Sequence, residues 1–277
     1  MEHLKSKLLE YLSRDDLLQA TLLLGTIEKS SFCGDNYVEK VLSMASRIWD
    51  KGSLDSQDPL YLLEQINQVV FEQCGIQGRG ERYKQIIDDP KQYYLHQVLD
   101  GHNGSSITLT VLFLTLMQQV GIRAESLSFP SVFLIRMPDL GKDTYVDAFD
   151  HGKIITQAEF QRRFRAGMTK YRLESGSIFE KVSNFQLVGR MIQHLKHVYI
   201  LKGDALSALK AVEFLTALYP GSPELTRDRG ILFCEMEYFS RAVVDLKTYL
   251  KKRPNAEDIA EIKKLASMLK GYRETIN

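Results

Sequence analysis

Apolar residues recur at three- and four-residue spacings through most of this chain, and one short middle stretch departs from that rhythm. Residues 4–24 carry Leu4, Leu8, Leu9, Leu12, Leu17, Leu18, Leu22 and Leu23. That spacing predicts an amphipathic helix, or two parted at Ser13-Arg14-Asp15-Asp16 with Ser13 or Asp15 capping the second. Tyr37, Val41, Leu42, Ala45 and Ile48 predict another helix. Asp58-Pro59 opens a further one through Leu60, Leu63, Ile66, Val69 and Phe71, because proline suits a helix's first turn. The glycine-rich run Gly75-Ile76-Gln77-Gly78-Arg79-Gly80 breaks it.

A short helical or turn segment around Tyr94, Leu95, Val98 and Leu99 leads into the tight loop Gly101-His102-Asn103-Gly104. Ile107, Leu109, Leu112, Phe113, Leu116, Met117 and Val120 then make a helix that is apolar on most of its surface, which predicts burial, and Gly121 stops it. Ala124 to Phe129 and Val132 to Met137 read as strands rich in β-branched and aromatic residues. A turn at residues 138–143 precedes a third strand, Thr144 to Phe149. From about residue 180 the pattern is helical to the end, with a repeat. Ala208 recurs as Ala242 and Pro220 as Pro254, each offset by 34 residues, the tetratricopeptide period. Gly203 and Val212 align at the same offset with Glu237 and Leu246. The expected fold is α+β and mostly helical: an N-terminal helical layer (1–90), a small antiparallel sheet packed on a buried helix (91–178), and a tetratricopeptide-type helical tail (179–277).

Composition narrows the function classes. Thirty-six basic and 35 acidic residues leave a formal net charge of +1, so no long-range field for nucleic acid or an anionic membrane is expected. The most apolar run, Ile107 to Val120, is too short and too interrupted by Thr and Gln to span a bilayer. Cys33, Cys74 and Cys234 are odd in number and widely spaced, which argues against a disulfide framework or zinc site and fits a reducing cytoplasm. The N-terminus shows no signal peptide.

Candidate chemistry gathers between Gly104 and Asp147. A nucleophile at a helix start followed by strands is the layout of a cysteine-protease or transglutaminase core. The helix dipole there favours a thiolate, an imidazole takes the proton, and a carboxylate orients the imidazole. Here Ser106 stands at the nucleophile position, Val132 where the imidazole belongs, and Asp147 at the orienting acid. His102 and His151, in glycine-flanked loops, are the nearby imidazoles that could be recruited. A solvated histidine is the plainer reading of each, and a loop cap is the plainer reading of Asp147. His194 and His197 share a helix face but have no evident third ligand, so no metal is expected. No phosphate-binding glycine loop or other cofactor motif occurs. In Pro223-Glu224-Leu225-Thr226-Arg227-Asp228-Arg229-Gly230, the charges could form an intramolecular ion-pair network docking the repeats onto the core, or a groove in which Arg227, Asp228 and Arg229 meet a partner.

The collinear stretches Val98-Leu99 through Gly104, Ile107-Thr108-Leu109, Leu114 to Gly121, Phe129-Pro130, Phe133-Leu134-Ile135-Arg136, Val146-Asp147-Ala148-Phe149 and Arg227-Asp228-Arg229-Gly230 together resemble the bacterial SirB-type transglutaminase-like proteins. That family's pattern is a Gly-x-Pro before the buried helix, a Phe-Pro-Gly-His and an Asp-Pro-Phe. This chain has Ser106 for the proline, Ser131-Val132 for Gly-His and Ala148 for the last proline. The resemblance implies the fold, and it does not carry transglutaminase or protease activity with it. Two functions follow as expectations. The first is a non-catalytic interaction or regulatory protein that holds a protein or peptide through the repeat tail. The second is a hydrolase or acyltransferase using Ser106, a recruited histidine and Asp147.

Overall fold

The computed structural model describes residues 1–50, 58–78, 89–129, 132–141, 144–162 and 180–275. Its contacts divide the chain into two compact units, residues 11–191 and residues 1–10 with 192–277. No helix among the described residues is long and apolar enough to cross a membrane.

The chain begins with short helices, and its first ten residues belong to the second unit. The leucine-rich start is broken, as its polar interruption predicts, into α1 (Glu2–Ser13), α2 (Leu17–Leu23) and α3 (Gly25–Glu28). The capping residue, however, is neither Ser13 nor Asp15. Asp16 accepts the Gln19 N–H at 3.0 Å, and Asp15 takes the left-handed turn with φ of 57°. α4 (Asp35–Asp50) follows, then α5 (Pro59–Asn67), capped by Asp58. The expected continuation of α5 to Phe71 is instead a π-helical segment, Gln68–Gln73. A 3₁₀ turn (Pro90–Tyr93) and α6 (Leu95–Leu99) lead to α7 (Ser106–Gln119).

α7 is buried on nearly every side, and Gly121 ends it with φ of 77°. It packs on β2 of a five-stranded antiparallel sheet: β1 (Glu125–Phe129), β2 (Val132–Arg136), β3 (Thr144–Asp147), β4 (Lys153–Thr156) and β5 (Glu180–Val182), in the order β4-β3-β2-β1-β5. One face carries Leu127, Phe129, Leu134, Tyr145 and Ile155, covered by Phe160 from α8 (157–162). Register sets Leu127 opposite Leu134 and Tyr145 opposite Ile155. The two edge strands were not expected from sequence. β4 buries only Ile155 and β5 only Val182, so neither shows an apolar strand pattern. Their charges suit sheet edges, where they discourage pairing with another chain. The third strand ends at Asp147 rather than Phe149, because a 3₁₀ turn (Ala148–Asp150) begins there.

The second unit is built from α9 (Asn184–Leu201), which enters it at Ile192, with α10 (Ala205–Leu218), α11 (Pro223–Glu235), α12 (Phe239–Lys252) and α13 (Ile259–Thr275). The 34-residue repeat is visible in the backbone. Gly203 and Glu237, its paired turn positions, both lie in the left-handed region, at φ of 70° and 62°. Gly230 lets α11 and α12 close on each other, since a Cβ there would sit 2.9 Å from the Leu246 side chain. Phe233, Ala242, Leu246 and Tyr249 join Ile262, Ala266 and Leu269 in one apolar cluster.

Candidate functional site

Ser105 and Ser106 divide the work at the start of α7. Ser105 is the N-cap: its hydroxyl meets the Thr108 hydroxyl at 2.9 Å and the Thr108 N–H at 3.4 Å. Thr108 in turn donates to the Gln92 carbonyl at 2.8 Å, and the Ser105 N–H donates to that same carbonyl at 3.0 Å. Ser106, at the first helical position, faces the sheet. Its Oγ accepts the Phe133 N–H at 3.1 Å and donates to the Phe133 carbonyl at 3.4 Å. β2 pairs with β3 only at Ile135 and Arg136, so Ser106 supplies the hydrogen bonds of a strand position that β3 does not reach. Val132 packs instead against the Leu127–Phe160 cluster.

Asp147 is 1 % exposed. Its Oδ1 accepts the Phe149 N–H at 3.1 Å and the Asp150 N–H at 3.2 Å, forming the cap of the 3₁₀ turn. The chain then passes through His151 in the left-handed region, φ 56°, with an exposed ring 5.0 Å from the Phe71 ring. His102 is half-buried and its backbone N–H donates to the Gln97 carbonyl at 3.1 Å, closing α6.

The Gln77–Gly78 backbone packs against the start of α7 and the turn after β3. The Gly104 N–H donates to the Gln77 carbonyl at 2.8 Å. Gly78 lies so close beneath that a Cβ would be 2.6 Å from both a Leu109 methyl and the Phe149 carbonyl oxygen. Glycine is the residue that permits so close a backbone approach. A cavity of about 660 Å³ lies at the opposite end of α7, lined by Leu114, Gln118, Gly121 and Ser126. Fourteen residues of α-helix, about 21 Å, separate the two ends. Among the charged residues lining that cavity, Arg123 pairs with Asp139 and Lys181 with Glu125, and Asp15 accepts from Asn184.

The buried imidazole of this unit is one the sequence did not single out. His96 is 4 % exposed, and its Nε2 lies 2.9 Å from Glu28 Oε2. The rings of Phe32, Tyr94 and Tyr37 surround it at 4.4, 5.2 and 5.6 Å. Burial pushes its pKa below the ordinary histidine value, and Glu28 opposes the shift. Beside it the Tyr37 hydroxyl donates to Asp100, which Lys40 also meets, and the hydrogen bond to that carboxylate lifts the Tyr37 pKa to about 12. The available signal was the placement of His96 between Tyr94-Leu95 and Val98, on an apolar helical face.

In the second unit the charged string is engaged internally. Arg227 meets Asp228 and Asp258, Lys196 meets Asp228 at 2.6 Å, and Arg229 meets Asp245 at 2.7 Å and Glu213. Glu224 pairs with Arg253 at 2.6 Å. Among the described residues no three His, Cys, Asp or Glu side chains gather as a metal site.

The family model described as Transglutaminase-like superfamily matches residues 35–193, and a tetratricopeptide repeat model matches residues 195–267. A UPF0162 protein of Xylella fastidiosa is 27 % identical over 197 residues, 70 % of this chain and 69 % of that protein. A UPF0162 protein of Vibrio cholerae is 24 % identical over 189 residues, 68 % of each chain. F-box only protein 21 of Mus musculus is 33 % identical over 175 residues, 59 % of this chain and 26 % of the larger protein. No solved structure matches. The chain belongs to the transglutaminase-like superfamily, in its SirB-like branch with C-terminal tetratricopeptide repeats.

Proposed function

We propose that this transglutaminase-like protein is a non-catalytic interaction or regulatory protein of the cytoplasm, whose repeat tail holds a protein or peptide partner. The observation that supports it best is the Ser106 hydroxyl. A serine nucleophile must give its proton to a base and aim a lone pair at substrate. Ser106 instead gives its proton to the Phe133 carbonyl and accepts from the Phe133 amide. Asp147 uses a carboxylate oxygen to hold two backbone amides of its own turn, and Gly78 lies tight against Leu109 and Phe149 over the same region. On this reading residues 1–90 are an N-terminal helical layer, 91–178 a degenerate core and 179–277 the partner-facing tail. Ser106, Asp147, His102 and His151 then have structural roles.

The partner surface follows from the repeat. A 34-residue offset places Ile200, Cys234 and Met268 at equivalent positions of α9, α11 and α13. Ile200 and Met268 are 44 % and 56 % exposed, and Ile231, Cys234 and Leu265 are half-buried. First helices of such repeats line a concave face suited to a helix or an extended segment. Arg227, Asp228 and Arg229 serve this face by fixing the helices that carry it.

Two arms on the full chain test the reading. Partner recovery by cross-linking should fall in the Ile200→Glu, Met268→Glu double variant; equal recovery from variant and wild type removes the tail's role. A fluorophosphonate probe should leave Ser106 unlabelled. Labelling that disappears in Ser106→Ala would establish the serine hydrolase or acyltransferase alternative.

A further inference from the structure

One face of α4 walls an open cavity of about 450 Å³, which Cys74, Ile76 and Leu99 also line. Lys40, Ser43, Met44 and Arg47 follow one another at three- and four-residue steps, so they line a single side of the helix. The volume falls inside the range of about 300–1,000 Å³ typical of small-molecule pockets. Met44 and Ile76 give it an apolar floor, each 2 % exposed.

The guanidinium at one end is the unusual feature. Arg47 is half-buried, its Nε donates to the Ser43 carbonyl at 3.4 Å, and one terminal nitrogen donates to Cys74 Sγ at 3.5 Å. No carboxylate among the described residues pairs with it. Lys40, by contrast, is paired with Asp100 at 2.6 Å. Glu39 also lines the cavity, eight residues from Arg47, about 12 Å along an α-helix, too far for a direct ion pair. A cation beside low-dielectric surface attracts an anion more strongly than one in open water.

We propose that this cavity binds a small organic acid, its anionic head on Arg47 and its apolar body on Met44, Ile76 and Leu99. The site shares no residue with the Ser106 region, so it stands or falls apart from the non-catalytic reading.

Cys74 makes occupancy measurable, because an acid seated on Arg47 covers the thiol bonded to that guanidinium. The full chain is alkylated with iodoacetamide, and labelling of Cys74 is followed by peptide mass spectrometry with exposed Cys33 as internal control. The probes are hexanoate, its neutral isostere hexanamide, and inorganic phosphate. Mass action slows Cys74 labelling by the factor 1 + [ligand]/Kd, about tenfold at ten times Kd. Hexanoate should protect Cys74 at millimolar concentration, with Cys33 unchanged, hexanamide inert, and the effect lost in Arg47→Gln. Absence of protection by hexanoate overturns the proposal. So does equal protection by hexanamide, which would report apolar filling alone, or by phosphate, which would report a bare anion site. If Arg47→Gln does not fold, the wild-type comparison of hexanoate with hexanamide decides the matter.

Discussion

Replacing Ser106 with alanine leaves the Phe133 N–H, at a residue 5 % exposed, without its acceptor. An unsatisfied buried donor costs about 1–3 kcal/mol, so urea unfolding of Ser106→Ala should show a loss of that size. A change indistinguishable from zero would mean the bond is not structural. His96 gives a second residue-scale prediction, and its sign follows from burial. Its folded pKa lies below the ordinary 6.5, so the folded state binds fewer protons than the unfolded state between those two values. Stability from this group is therefore complete above about pH 6.5 and is lost as pH falls through the folded pKa. The lowered pKa values of Glu125 and Asp100 act below 4.5 and 3.8, a separate window. Thermal unfolding at pH 7.5 and 5.5 should show a larger loss in wild type than in His96→Gln. Equal losses would refute the assignment. The sequence drew attention to His102 and His151 because they lie near Ser106 and Asp147 along the chain. It passed over His96, whose environment comes from Glu28, Phe32 and Tyr37, about sixty residues away in sequence.

At the scale of elements, two glycines record close approaches that spacing alone could only partly foretell. Gly230 was legible, because it falls in the first helix of the second 34-residue unit, where it and Phe233 stand at the small and aromatic positions of the tetratricopeptide pattern. Gly78 read as a simple break, and its contact with Leu109 and the Phe149 carbonyl needed the fold. Gly78→Ala must move backbone, not only a flexible tip, and overpacking of this kind costs about 1–3 kcal/mol. A denaturation midpoint equal to wild type would contradict that packing. Between α11 and α12, Arg229 holds Asp245, which is 6 % exposed. Hydrogen bonds to charged groups contribute about 1.5–3 kcal/mol, so Arg229→Leu should destabilise by that order, and Asp245→Asn should recover part of the loss in the double variant. Additive effects would show that the two residues do not act together. β4 and β5 escaped the sequence because one buried side chain each does not make a strand pattern.

For the whole molecule, the division into two units makes the preceding changes local. Hydrogen exchange reports opening unit by unit. Ser106→Ala should raise exchange mainly within residues 11–191, and Arg229→Leu mainly within residues 192–277. Uniform acceleration in both variants would mean that the chain opens as a single cooperative body.

Periodicity, glycine placement and the 34-residue offset were enough to determine most of the longer helices, the buried α7, the central strands and the repeat tail, because each is a local regularity of side-chain burial. Tertiary structure alone decided what the remaining polar groups do. Ser106 ties α7 to β2, Asp147 caps a turn, Arg227 to Arg229 bind their own neighbours, and Arg47 faces a cavity beside Cys74. A hydroxyl, a carboxylate or a guanidinium takes its role from whichever partner the fold brings within hydrogen-bond reach, and for Ser106, Arg229 and Arg47 that partner lies 16 to 27 residues away.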